Sequence, residues 1–590
     1  MTADPPRDGG KAGPGPRPPA PAPDVAQDPE QRGPHPVPGT TATGGTAPAH
    51  HTTARGYPEG YEWRMTPVHV VPVKERLGSF REVAQGYLSD EEARAEAARC
   101  LLCKHPTCIS GCPNNNPIPT FLAFVQEGRM LEAAVADYEK NSLAACTGRV
   151  CNWEEQCEGW CVLTANGEGV RIGAIERYIA DHALRNPEAF AALRAQRAAE
   201  EAAQGASPYT LPTVSPYAAA IEAYGGAVVP GHASLDAVRL HSGAIVPGYT
   251  PQDYPPADLS LRGLRVAVVG AGPAGLACAD VLSRAHAEVV VFDAQDYAGG
   301  LLSDGIPEFV LPQEVVEREI ARVRAQGVAF RFGQVLGRDL RVDDLLARFS
   351  AVFVGVGAEV AHRLDVPGHD AEGVLTAQDF LRRAKRALQP GSGVEPPPVG
   401  RRVLVVGAGN TSMDAARTAL RLGAEEVRVV YRRTRPESPS REIELSFADE
   451  EGVRFAYLEN PVELLKDGAG RVRGARLVRM RLGETDRSGR RRPEPITSSE
   501  HEVPCETVLF AVGYSVHGVD LGHPELLRPD GTVRTHGEGG ATDLPGLFAG
   551  GDLVRGAYTV VHAIRDGRLA ADAIGEYLHR KDGAKPPAGQ

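Results

Sequence analysis

Four thiols fall within thirteen residues in the stretch CLLCKHPTCISGCP, where Cys100, Cys103, Cys108 and Cys112 precede Pro113. A second group, Cys146, Cys151, Cys157 and Cys161, follows, so that eight of the ten cysteines lie between residues 100 and 161. Thiolates are soft anionic donors, and so many in one short region either close disulfides or hold metal. The compartment decides between the two. The N-terminus has no charged segment followed by an apolar core, so nothing there reads as a secretory signal, and a cytoplasmic, reducing location is expected. Metal is then the chemistry that the spacing predicts.

Two glycine-rich turns offer a second kind of chemistry. In RVAVVGAGPAG, from Arg265, the apolar run Val266 to Val269 leads into Gly270, Gly272 and Gly275, which open a helix. A second strand, Val289 to Phe292, then ends at Asp293. Glycines at this spacing allow a tight turn and close backbone approach to a pyrophosphate, and the acid is placed for an adenosine ribose. The other reading is a turn that merely happens to be rich in glycine. The second copy, RRVLVVGAGNTSMD from Arg401, has Gly407 and Gly409, then Asn410 opening the helix, with Ser412 in the place of the third small residue. Its second strand, Val427 to Tyr431, runs into Arg432 and Arg433 rather than an acid. Guanidinium groups suit a 2′-phosphate, which points to NADPH here and FAD in the first copy; two solvated arginines on a loop are the alternative. Leu547 to Asp552, LFAGGD, resembles the turn that brings an aspartate to a flavin ribityl chain, with Gly551 and Asp552 as the contacts. The helix expected from about Tyr558 to Tyr577 would then aim its positive end at the flavin ring. Val352 to Gly357 and Val508 to Gly513 read as crossover strands between the two nucleotide domains.

The elements that must position these groups follow from texture. The chain has 590 residues, 42% of them hydrophobic, which suffices for three or four domains with cores. Residues 1–65 are Pro/Gly-rich and read as a disordered tail. Residues 66–187 alternate cysteines with helical patterns at Ile118 to Gln126, Met130 to Glu139 and Val170 to Leu184. Residues 188–260 begin with an Ala-rich helix and decay into a Pro-containing linker. Residues 261–375 and 514–590 are the two parts of an FAD-binding domain, with the NADPH-binding domain at 376–513 between them. The fold class is α/β, with two Rossmann-like dinucleotide-binding domains preceded by a small α-helical domain. A net charge of −12 without a polybasic run speaks against nucleic acid as a partner. The only long apolar run, Val266 to Leu282, is short and broken by glycines, so no membrane span is expected.

Eight soft ligands beside a flavin favour iron–sulfur clusters over structural zinc, since zinc gives the flavin no electron outlet. The order of cysteine domain, first glycine loop, GLLSDGIPEFVLP from Gly300, second glycine loop with YRR, and FAGGD resembles the small (β) subunit of NADPH-dependent glutamate synthase. The same module is similar to the N-terminal half of dihydropyrimidine dehydrogenase and to the large subunit of NADH-dependent ferredoxin:NADP oxidoreductase. The resemblance covers about residues 66 to 187 and 261 to 578. It implies two [4Fe-4S] clusters, one on Cys100, Cys103, Cys108 and Cys161, the other on Cys112, Cys151, Cys157 and Glu176, with Gly300 and Leu301 among the FAD contacts. Cys146, Cys278 and Cys505 are left as spare thiols. Ile172, Ile175, Glu176 and Ile179 share one helical face, and a carboxylate inside an apolar stripe needs a partner, whether a cluster or a buried cation. The C-x5-C-x3-C spacing of Cys151, Cys157 and Cys161 looks more like the dihydropyrimidine dehydrogenase branch.

The expected function is electron input: NADPH reduces FAD, and electrons leave singly through the clusters to a large catalytic subunit of glutamate synthase α type. No acid–base pair is needed, and no catalytic residue is assigned. The NADPH domain has no C-x-x-C, which argues against thioredoxin-reductase chemistry. Nothing in the chain resembles an amidotransferase, and it begins Met1-Thr2 rather than with a cysteine nucleophile, so glutamate formation would require that partner. The rival readings are electron input to pyrimidine reduction or to ferredoxin, and a partner-binding scaffold with vestigial nucleotide sites.

Overall fold

The computed structural model describes residues 64–204, 237–239, 245–247, 261–485, 490–516 and 518–581. The expected tail up to residue 63 and most of the expected linker, residues 205–236, 240–244 and 248–260, lie outside the described residues. The linker's first part is the helix Pro187–Gln204.

The cysteine-bearing region is mostly helical: α1 (Asp90–Ala97), α2 (Ile118–Gln126), α3 (Met130–Tyr138), α4 (Ala144–Val150) and α5 (Ile172–Arg185). A short antiparallel pair, His69–Val70 with Ala84–Gly86, accompanies them. Helix α5 starts at Ile172 rather than Val170, since Arg171 is non-helical and its amide donates to Glu96 at 2.9 Å. The apolar faces of α2, α3 and α5 meet in one core with Phe121, Leu122, Val135, Ile175 and Ile179.

The first nucleotide domain is a parallel sheet. Its strands are β1 (Arg265–Val269), β2 (Glu288–Phe292), β3 (Ala329–Arg331) and β4 (Ala351–Val354), flanked by α6 (Pro273–Arg284) and α7 (Gln313–Arg324). Val352 to Val354 is therefore an inner strand of this sheet and not a crossover. The crossing is made by the short β5 (Val360–Ala361), just beyond it.

The second parallel sheet holds β6 (Val374–Thr376), β7 (Arg402–Val406), β8 (Glu426–Tyr431) and β9 (Arg454–Tyr457), with helices α8 (Ala377–Ala387), α9 (Asn410–Arg421) and α10 (Glu442–Glu450). An antiparallel insert then appears that the βαβ pattern did not reveal: β10 (Glu459–Lys466), β11 (Val472–Thr485), β12 (Arg491–Pro495) and β13 (His501–Pro504). Strand β14 (Thr507–Phe510) returns to the second sheet between β6 and β7, so Val508 to Phe510 is again a core strand. Its neighbour β15 (Tyr514–Ser515) pairs antiparallel with β5 and makes the crossing. Strand β16 (Leu547–Ala549) then joins the edge of the first sheet, giving the order β16-β4-β1-β2-β3. The last helix, α11 (Val560–Lys581), starts two residues later than expected because the Tyr558 amide donates to Asp552 at 3.2 Å.

Helices α6 and α11 touch backbone to backbone. A Cβ built on Gly567 would lie 1.9 Å from the Ala274 carbonyl oxygen, so only glycine fits there. Gly575, two turns further along the same helix, faces open space. Gly567→Ala should accordingly destabilise the fold by roughly 1–3 kcal/mol through overpacking. Gly575→Ala should stabilise it by about 0.5–1 kcal/mol. Opposite shifts of the thermal unfolding midpoint check the contact, and a neutral Gly567→Ala would disprove it.

Candidate functional site

Strand β1 ends in a turn walled by backbone. Gly270 has φ +103°, and a Cβ there would lie 2.4 Å from the Gly355 carbonyl oxygen; one on Gly275 would lie 1.8 Å from that of Gly270. Gly300 faces Gly272 so closely that its Cβ would sit 3.0 Å from the Gly272 Cα, and Leu301 opens the short helix that follows. No side chain caps the N-terminus of α6, which leaves its first amides turned toward this place. The FAGGD turn comes alongside, with a Cβ on Gly551 3.0 Å from that of Ala274. Burial pushes the Asp552 carboxyl up to about 6. Asp293, at the end of β2, accepts from the amides of Ala271 at 2.6 Å and Gln295 at 2.8 Å, so here it braces the glycine turn.

The second turn opens on a cleft of about 520 Å³ lined by Gly407, Gly409, Arg432, Arg433 and Arg490, among others. Ser412 is fully buried at the third small position. The two arginines differ in setting. Arg432 is exposed at the mouth, whereas Arg433 is buried and its Nε donates to the Arg491 carbonyl at 2.8 Å, which ties the antiparallel insert to the cleft. Arg490 arrives on that insert. It was missed because it is remote from the glycine motif, although the run Arg490 to Arg492 was a legible signal. Asn410 does not line the cleft with these residues. Its Oδ1 accepts from Ser440 Oγ at 3.0 Å and from the Arg441 amide at 2.9 Å, so it pins the loop before α10.

The cysteines sort into two places. Cys100, Cys103, Cys108 and Cys161 line one cavity whose other walls include Leu101, Leu122 and Ile172. Burial raises each of these thiols, and the charges of the others add to it at Cys100, Cys103 and Cys108. The second place is marked by Cys112, Cys151, Cys157 and Glu176. Burial raises the Cys151 thiol first, followed by the charges of Glu176 and Cys112; for Cys157, burial comes first, then Glu158, Cys112, Glu176 and Cys151. Glu176 accepts from Thr147 Oγ1 at 2.6 Å and Asn141 Nδ2 at 3.3 Å, and burial pushes its carboxyl up to about 7 against these bonds. Its partners are thus the Thr147 hydroxyl and side-chain amides, and among the described residues no buried cation, the alternative, pairs with it.

All ten cysteines are free of disulfides, and among the described residues no three His, Cys, Asp or Glu side chains are arranged to hold a single metal ion. Deprotonated, these thiols would put several negative charges in apolar surroundings, which a cationic group among them would offset; thiolate sulfur is a soft donor, and an iron–sulfur core fits such a set. Cys146 and Cys278 lie in the core of the first nucleotide domain and Cys505 in that of the second.

Residues 76–188 match the family model described as dihydropyrimidine dehydrogenase domain II, 4Fe-4S cluster, and residues 264–567 match that of pyridine nucleotide-disulphide oxidoreductase. The chain is 36% identical over 516 residues to the glutamate synthase [NADPH] small chain of Escherichia coli K12, covering 86% of this chain and 96% of that one. It is 34% identical over 520 residues to the glutamate synthase [NADPH] small chain of Azospirillum brasilense, covering 86% and 94%. It is also 34% identical over 475 residues to the NADP(+)-dependent formate dehydrogenase subunit beta of Moorella thermoacetica, covering 80% of this chain and 60% of that subunit. An iron–sulfur region joined to a two-dinucleotide oxidoreductase, matched almost end to end, places the chain in the glutamate synthase small-chain family of oxidoreductases.

Proposed function

We propose that the chain is the electron-input subunit of a glutamate synthase: NADPH binds in the cleft beside Arg432, FAD lies across the glycine turn at Gly270, and two [4Fe-4S] clusters carry electrons to a large catalytic subunit. The observation that carries this reading is the sorting of eight donors into two groups of four, although Cys112 and Cys161 are interleaved with the other group along the chain. Bound FAD would take a hydride from nicotinamide and release electrons one at a time, which suits clusters as the outlet. The residues of the chain hold and orient. The amides at the start of α6 would face the pyrophosphate of bound FAD, and Asp293 and Asp552 would accept from its ribose and ribityl hydroxyls. Arg432, with Arg433 and Arg490 lining the same cleft, would offer guanidinium donors to a 2′-phosphate. Glu176, held by Thr147 and Asn141, presents its carboxylate as the eighth donor. The similarity to a formate dehydrogenase subunit and to dihydropyrimidine dehydrogenase domain II, together with the Cys151 to Cys161 spacing, supports a second reading in which the same input module serves a different acceptor subunit.

Purified protein should carry about eight irons and matching acid-labile sulfide. Glu176→Ala should lose about half of that iron while FAD stays bound, and unchanged iron with an unchanged spectrum of the reduced protein would remove Glu176 from the ligand set.

Replacing Arg432 with Gln removes a charge-assisted hydrogen bond of about 1.5–3 kcal/mol, so kcat/KM with NADPH should fall roughly 10- to 100-fold while NADH turnover hardly changes. A wild type that prefers NADH would contradict the assignment.

With NADPH and ferricyanide the isolated chain should turn over, but with glutamine and 2-oxoglutarate it should form glutamate only when a glutamate synthase large subunit is added. Reduction of uracil or thymine on supplying a different partner subunit would favour the second reading, and glutamate formed by this chain alone would refute both.

A further inference from the structure

The loop between β8 and α10 joins the second nucleotide turn to the second cysteine group. Ser438 Oγ donates to the Ala408 carbonyl at 2.6 Å, and the Arg441 amide donates to Asn410 Oδ1 at 2.9 Å. The Arg441 side chain then leaves this domain. It is 4% exposed, its Nη1 donates to the Arg149 carbonyl at 2.9 Å, and its guanidinium lies 4.2 Å from the centre of the Trp153 ring. Arg149 and Trp153 stand two residues before and two after Cys151. The Glu154 carboxylate makes a loose ion pair with Nε at 3.7 Å, too far for a hydrogen bond, so the buried Nε–H has no hydrogen-bond partner.

A buried cation with an unsatisfied N–H is costly unless something near it is negative. Both groups that the Arg441 guanidinium touches flank Cys151 along the chain, so its positive charge is buried beside the second group of donors. A cluster gains a negative charge with each electron it accepts, and a cation at this place favours the reduced form. A stack on tryptophan that only packs would not require the charge.

We infer that Arg441 is the positioning residue of the second cluster: it fastens the Cys151 segment to the nucleotide turn through Asn410 and supplies the positive charge that favours reduction there. The inference rests on the proposal that Cys112, Cys151, Cys157 and Glu176 hold a cluster.

The test is a redox titration of the cofactor-loaded full chain followed by EPR, after iron and sulfide have been measured. Arg441→Gln should shift the second cluster toward its oxidised form by about tenfold, or about 59 mV for one electron. Arg441→Lys should restore most of that shift. Glu154→Gln, which removes the negative charge beside the guanidinium, should move the equilibrium the opposite way by a smaller factor. The first cluster and the flavin should not move in any of the three. If Arg441→Gln keeps its iron and its potential, or if Arg441→Gln and Glu154→Gln shift it in the same direction, Arg441 only packs and the inference is wrong. If Arg441→Gln loses the second cluster, the signs from Arg441→Lys and Glu154→Gln decide. Wild-type protein with only about four irons would overturn the two-cluster proposal itself, and the inference with it, and is distinguishable from the other outcomes because iron is measured first.

Discussion

Much of this molecule depends on one backbone contact, that of Gly567 in α11 against the Ala274 carbonyl in α6. The first nucleotide domain is built from two segments separated by the whole of the second, and it closes only if the last helix comes back to lie on the first. With glycine at the crossing the two helices approach to touching distance, β16 reaches the edge of the sheet beside β4, and the FAGGD turn arrives next to the glycine turn at Gly270. A larger side chain at that crossing would separate the two halves of the candidate FAD site by moving backbone, which a close-packed interior resists.

The same core is shared with the cysteine domain. Leu143 and Cys146, at the start of α4, are buried among the side chains of α6, α7 and α11. Around them Ser142 donates to Asp280 at 2.9 Å, Tyr138 donates to Glu319 at 2.7 Å, and Arg322 reaches both acids. These charges are buried and mutually paired, an arrangement in which losing one partner leaves the others uncompensated at a cost of about 3–5 kcal/mol. The cysteine groups are thereby held at a fixed place relative to the first nucleotide turn.

The second nucleotide domain is fastened on several sides by cations that reach across to carbonyls and carboxylates. Lys385 in α8 donates to the carbonyls of Leu302 and Ile306 at 2.8 and 2.7 Å, and Arg382 pairs with Asp304 at 3.1 Å. Arg421 donates to the Ser79 carbonyl at 3.0 Å and lies 4.1 Å from the Phe309 ring, while Arg76 pairs with Glu450 at 2.7 Å. Arg441 adds the tie to Arg149. Hydrogen bonds to fixed carbonyls set both distance and direction, so they define how the second nucleotide domain sits on the first and on the cysteine domain more closely than apolar packing alone would.

What could be read along the chain was whatever local sterics and periodicity impose. The glycine turns were legible because strand, tight turn and helix must follow one another within a few residues, and the inner strands because buried parallel strands are continuous apolar runs. Helices α2 and α3 appeared at their expected places from their periodicity. The apolar face around Glu176 was visible, but not what its carboxylate touches. The runs at Val352 and Val508 were mistaken for crossings because a buried inner strand and a crossover look alike in one dimension; only pairing distinguishes them. The alternating insert from Glu459 to Pro504 was passed over among βαβ units. Spacing alone groups Cys161 with Cys151 and Cys157, whereas the fold puts it in the cavity of Cys100, Cys103 and Cys108, whose walls also take in Leu122 of α2 and Ile172 at the start of α5. Asn410, Arg433 and Arg441 likewise make their contacts with partners far along the chain. The sequence by itself determined which chemistries were present, since residue type and local spacing fix donors and turns. Only the tertiary structure decided which donors face one another, because a side chain's partners depend on how distant segments pack.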